Sequence, residues 1–101
     1  MLKRHYCLYD RKAKNYLNPI SFVNDGDAMR WFTTVVNKKD EPTNIALYPQ
    51  DFVLVYLGTF DDESGKFTNE LEELCSGNTV AQPEERYTLK ELFNYVEKVK
   101  N

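Results

Sequence analysis

Apolar and polar positions along the chain change period several times, and each change predicts an element. Tyr6, Cys7, Leu8 and Tyr9 make residues 4–9 a β-favouring run. The polar stretch from Asp10 to Asn15 reads as a connection. Behind Pro19, Ile20-Ser21-Phe22-Val23 predicts a short second strand, because a missing N–H is tolerated where a ladder begins. Asn24-Asp25-Gly26-Asp27 then supplies oxygens for the orphan N–H groups of a helix start. From Ala28 to about Lys38, Ala28, Met29, Phe32, Val35 and Val36 recur at helical spacing on one stripe, with Lys38 and Lys39 at the cation-favouring end.

Pro42, Asn44 and Pro49 mark residues 40–50 as a loop. Residues 51–60 predict a central strand: Phe52, Leu54 and Tyr56 face one side, Val53, Val55 and Leu57 the other, and both sets are apolar. Asp61 to Gly65 turns the chain, and residues 66–68 return as the second arm of a hairpin. Residues 76–86 contain Gly77 and Pro83 and read as a polar joint. Thr88 and Glu91 form a capping box, after which Leu89, Leu92, Phe93, Val96 and Val99 recur as an amphipathic stripe.

The expected architecture is α+β: a small, mostly antiparallel sheet of about four strands, one central helix and a C-terminal amphipathic helix. Residues 1–75 form a ββαββ-like core, 76–86 the joint, and 87–101 a helix packing on that core. Residues 51–60 are apolar on both sides and need two covers; the two helices are expected to supply them.

A chain of 101 residues with 42% hydrophobic and 29% charged residues is a single globular domain. No apolar run approaches the roughly 20 residues of a membrane span. Met1-Leu2-Lys3-Arg4-His5 has no apolar stretch behind it, so no signal peptide is expected, and Cys7 and Cys75 are expected as reduced thiols. The net charge of −3 is unevenly spread. Residues 1–39 carry Lys3, Arg4, Arg11, Lys12, Lys14, Arg30, Lys38 and Lys39 against Asp10, Asp25 and Asp27, whereas Lys66 is the one base among the acids of residues 40–85. Such asymmetry fits either an anion-binding face or ordinary soluble surface.

Candidate chemistry is sparse. His5 and Cys7 share a strand face, but two ligands do not make a zinc site, and the finger spacings are missing. Asp61, Asp62 and Glu63 lack the alternate ligand positions of a calcium loop and read as a hairpin tip. Nucleophile elbows and glycine-rich phosphate loops do not occur. No enzyme activity, cofactor or metal is therefore expected, and binding is the remaining class. Seven Tyr, six Phe and one Trp interleaved with cations suit single-stranded nucleic acid, which needs rings for bases and charges for phosphates. The candidate nucleic-acid contacts are Arg4, Tyr9, Arg11, Lys12, Lys14, Arg30 and Trp31. Phe22, Phe32, Phe52, Phe60 and Phe93 are expected in the core, while Tyr9, Tyr16 and Trp31 are open to either role. The acidic pI of 5.1 weighs against strong nucleic-acid binding.

Three blocks carry a resemblance. They are Leu8-Tyr9-Asp10-Arg11-Lys12-Ala13; Asn24 to Phe32 with Val36-Asn37; and Tyr48 to Phe67, whose Leu57-Gly58-Thr59-Phe60-Asp61 and Ser64-Gly65-Lys66-Phe67 elements keep their spacing. In order and spacing, residues 5–68 resemble the small nonstructural protein of gokushoviruses, tailless Microviridae phages with circular single-stranded DNA genomes. Tyr48 stands where that family usually has histidine and Phe52 where it has tyrosine; residues 76–101 look like an addition. The resemblance implies a non-capsid, DNA-binding protein in the cytoplasm of an infected bacterium, assisting single-stranded genome synthesis or packaging. Single-stranded DNA is the partner expected on this reading. An adaptor docking on a phage or host replication protein, through the acidic 40–85 segment or the last helix, is the alternative. No membrane partner is expected.

Overall fold

A computed structural model describes residues 1–38, 40 and 43–82. Its elements are β1 (Leu2–Asp10), β2 (Asn15–Tyr16), β3 (Ile20–Phe22), α1 (Asp25–Val36), α2 (Asn44–Leu47), a 3-10 turn (Pro49–Asp51), β4 (Phe52–Asp61), β5 (Phe67–Ser76) and α3 (Gly77–Val80). The sheet is antiparallel in every pairing, with order β2-β1-β4-β5 and β3 also on β1. The α+β expectation is met. β2 and β3 form an interrupted edge on one side of β1, and β4 lies on its other side. The chain reaches β4 from β3 by way of α1, because strands on opposite sides of β1 need a crossover.

Strand alternation gives the sheet two apolar faces. Tyr6 and Leu8 of β1 join Phe52, Leu54 and Tyr56 of β4 beneath Ala28, Phe32 and Val36 of α1. This cluster is the main core, and Phe32, Val36, Leu54 and Tyr6 have no exposed surface. Cys7, Val53 and Val55 form a smaller cluster on the opposite face, flanked by Tyr9 and Leu57. The expected two-sided burial of β4 is therefore present. The C-terminal helix assigned to the second cover, with Phe93, lies outside the described residues.

Local rules account for the helix. Asn24 is extended, and its side chain accepts from the Asp27 N–H at 2.8 Å, while Asp25 and Asp27 occupy the positive first turn. At the other end the Asn37 N–H donates to the Thr33 carbonyl. The buried stripe is the expected one except that Met29 remains 38% exposed.

Four expectations change. β5 continues to Ser76, well past the residue-68 limit read from the sequence. Its outer positions are acidic, and Glu is a poor strand former, so only pairing with β4 makes this segment a strand. The polar connection after β1 ends in a short rung, Asn15–Tyr16, opposite Asp10 and Tyr9. The 40–50 loop contains α2, capped by the Thr43 hydroxyl, and the 3-10 turn begun by Pro49. The segment read as a joint begins inside the core: Gly77 is buried, and Asn37 donates to the Val80 carbonyl and accepts from the Gln82 N–H.

Gly58 sits at an irregularity of β4 shared by both neighbours. The β1 register shifts between His5 and Tyr6, and the β5 register shifts between Tyr56 and Gly58. Its φ is +141°, and a Cβ there would lie 2.0 Å from the Thr68 carbonyl oxygen. Glycine is required both by the dihedral and by the close backbone. Gly58→Ala is expected to cost about 3 kcal/mol or more, since strain and a backbone clash combine. Chemical denaturation should show a midpoint lowered accordingly; an unchanged midpoint would remove the assigned role of this glycine.

Candidate nucleic-acid interface

The turn after β1 is built by Asp10. Its carboxylate accepts from the N–H groups of Lys12 and Ala13 at 2.9 and 3.1 Å, and its carbonyl accepts from the Lys14 N–H at 2.7 Å. Lys14 takes a left-handed conformation, φ 58°, which reverses the chain into β2. Arg11 braces the turn from outside. Its N–H donates to the Asp51 carbonyl at 2.8 Å, and its guanidinium donates to the Gln50 carbonyl at 3.1 Å. Lys12 and Lys14 project from this tip, exposed, and form no ion pair among the described residues. Tyr9 and Tyr16 pair their rings beside it, 4.7 Å between centroids, with Tyr16 half exposed.

The expected contact residues fall into three places. Tyr9, Arg11, Lys12 and Lys14 come together at this turn. Arg30 lies on the exposed side of α1, 3.5 Å from Asp27. Its neighbour Trp31 is half-buried, packs against Phe22 at 5.5 Å, and lines a groove of about 470 Å³ between the β2–β3 edge, α1 and α2. Leu8, Leu17, Ile20 and Ile45 form the apolar part of that groove, and Asn15 and Asn18 its amide part. Asn15 directly follows Lys14, so the groove opens next to the basic turn. Tyr16, left open by the sequence, also lines this groove, whereas the two asparagines were not singled out, because a neutral amide in a polar stretch carries no periodic signal.

Arg4 belongs to a different structure. Its guanidinium donates to the Asp25 carboxylate at 2.7 Å and to the Tyr6 hydroxyl at 2.8 Å, and lies 4.2 Å from the Tyr56 ring centre. The Tyr6 hydroxyl donates in turn to Asp25 at 2.6 Å. This cation already has its anion and its ring, so Arg4 is not placed to hold a phosphate without breaking the contact between β1 and α1.

His5 lies edge-on to Phe60 and Phe67 at 6.1 and 6.0 Å. No group of metal-ligating side chains occurs among the described residues. Asp61, Asp62 and Glu63 form the β4–β5 turn, where Asp61 accepts from the Glu63 N–H. Burial pushes both thiols, Cys7 and Cys75, up in pKa. Among the described residues, no helix is long and apolar enough to cross a membrane.

A five-stranded antiparallel sheet under one principal helix, with a cationic turn beside paired rings, defines a small α+β domain. The model of the Phage ORF5 protein family matches residues 3–80, and the chain belongs to that family. It is a phage protein. A Protein ORF5 from Chlamydia phage 1, a gokushovirus, is 42% identical over 65 residues, which cover 62% of this chain and 68% of the relative. No solved structure matches.

The Arg4–Tyr6–Asp25 contact predicts a pH dependence. The Tyr6 hydrogen bond, and then Arg4, hold the Asp25 carboxyl below its ordinary range. A depressed carboxyl stabilises the fold above its unfolded pKa of about 4, and that contribution disappears as pH falls through the lower folded value. Because Asp25 is half exposed, the effect is about 1 kcal/mol or less. Thermal melts of wild type and Asp25→Asn should differ at pH 6 and converge towards pH 2. A difference that stays constant across the range would refute the linkage.

Proposed function

We propose that this protein binds single-stranded DNA and assists genome replication or packaging in the cytoplasm of the infected bacterium. The observation that carries the reading is the braced turn, which holds Lys12 and Lys14 outward beside the paired Tyr9 and Tyr16 rings. A turn fixed in advance by Asp10 and Arg11 loses little entropy when it meets a phosphate. Cations follow the strand backbone, and a half-exposed ring offers a face to any base. Acids elsewhere do not cancel this locally, because exposed charges beyond about 10 Å are largely screened at ordinary salt.

Affinity for single-stranded oligonucleotides should fall linearly with salt on a logarithmic plot. Each phosphate contact contributes about 0.7 to that slope, so replacing Arg11, Lys12 and Lys14 together by alanine should reduce its magnitude by about 2. Fluorescence anisotropy across a salt series measures this. An absence of binding at low salt, or a slope untouched by the triple substitution, would falsify the proposal.

A second reading is supported by β5. It is the last strand of the sheet among the described residues, and Glu70, Glu72 and Glu73 are exposed along it. Its acids oppose pairing with another copy of itself and favour a basic segment of a phage or host replication protein. Recovery from infected cells separates the two readings. A stoichiometric protein partner that survives nuclease treatment supports the adaptor; DNA that is lost on treatment supports nucleic-acid binding.

A further inference from the structure

We infer that the groove beneath Trp31 is a receiving site for one unstacked nucleobase of the bound strand. The inference rests on the single-stranded DNA reading and adds to it a specific site. At about 470 Å³ the groove falls in the ordinary size range of small-ligand sites. Its wall joins an indole to the aliphatic side chains of Leu8, Ile20 and Ile45, while the amides of Asn15 and Asn18 stand at its rim. A planar heterocycle needs both parts: an apolar slot for its faces, and donor and acceptor groups for its edge. An asparagine amide presents both a donor and an acceptor, which matches the edge of a base better than an aliphatic or a purely anionic ligand.

The position of the groove favours a nucleotide over another flat molecule. Asn15 is joined directly to Lys14, so a base seated against Trp31 places its phosphate towards the cationic turn. Tyr9 packs on the Cys7–Val53–Val55 face, away from the helix, and pairs across the strands with Tyr16, which also lines the groove. A strand crossing the turn would thus meet Tyr9 on one side of the sheet edge and Trp31 on the other, with Tyr16 bordering both. Stacking on Tyr9 and insertion at Trp31 are separable events.

Trp31 is the single tryptophan of the chain, so its emission reports on this groove alone. The test titrates the full chain with a short deoxyoligonucleotide and with an abasic strand of the same length and charge. The base-bearing strand should quench Trp31 and bind roughly 5- to 150-fold more tightly than the abasic one, the range that stacking supplies. Trp31→Leu should remove most of that advantage. Because Trp31 also packs on Phe22, Asn15→Ala with Asn18→Ala is the control that leaves the core untouched; it should lower the preference about 5-fold. Equal, salt-dependent binding of both strands overturns the groove while leaving phosphate binding intact. A base preference with unchanged Trp31 emission, unaffected by the asparagine pair, also overturns it and assigns the preference to the tyrosines. No binding of either strand at low salt defeats the underlying reading, and the groove with it.

Discussion

The phenol of Tyr6 ties the two layers of this fold together. Its ring is fully buried between Phe22 and Tyr56, and its hydroxyl reaches Asp25 in the first turn of α1. A buried hydroxyl must find a partner, and here the partner is a carboxylate, which makes the bond charge-assisted. Arg4 closes the ring of contacts by neutralising Asp25 and lying over Tyr56. The start of α1 is thereby held at one point on β1. Everything further along the helix follows from that placement: Phe32 and Val36 over β4, Trp31 against Phe22, and the groove between Trp31 and the sheet edge. Burial pushes the Tyr6 hydroxyl up in pKa, so it stays a donor through the neutral range.

Sheet order changes the meaning of the charge distribution. Along the sequence, cations come early and acids late. In the fold, β4 separates β1 from β5, so the same asymmetry runs across the sheet. The basic turn joins β1 to the interrupted β2–β3 edge, and Glu70, Glu72 and Glu73 line the opposite edge. A polyanion approaching the molecule meets attraction at one edge and repulsion at the other. An overall pI of 5.1 describes the sum of these and neither one.

Hydrophobic period made the main elements readable. β1, α1 and β4 each bury a clean stripe or run, and Asn24 and Asp25 announced where the helix begins. β5 was shortened because Glu70, Glu72 and Glu73 have low strand propensity, and what makes them a strand is a ladder to residues far earlier in the chain. Gly77 read as a breaker, but it is a contact: a Cβ there would lie 2.0 Å from the Pro49 carbonyl oxygen. Of the site, Arg11, Lys12, Lys14 and Tyr9 were readable as a local cluster. The pairing of Arg4 was not readable, because its partner, Asp25, is remote in sequence and the contact depends on the β1–α1 crossing. Arg30 and Trp31 are adjacent in sequence, yet successive helix positions point about 100° apart, so one is exposed and the other packs inward.

Chain order gives the Arg4–Tyr6–Asp25 contact a further meaning, during synthesis. β1 leaves the ribosome first, but its long partner β4 begins at Phe52, and Leu2 pairs with Asp61. At about 5–20 residues per second, the apolar side chains of β1 wait some seconds for that ladder. In the interval, β2, β3 and α1 are already available. They can form a local unit in which Tyr6 is partly covered by Ile20, Phe22 and the helix, and in which Asp25 and Arg4 are paired. The nascent chain thus has a way to shelter its stickiest strand before the strand that completes the sheet has been made.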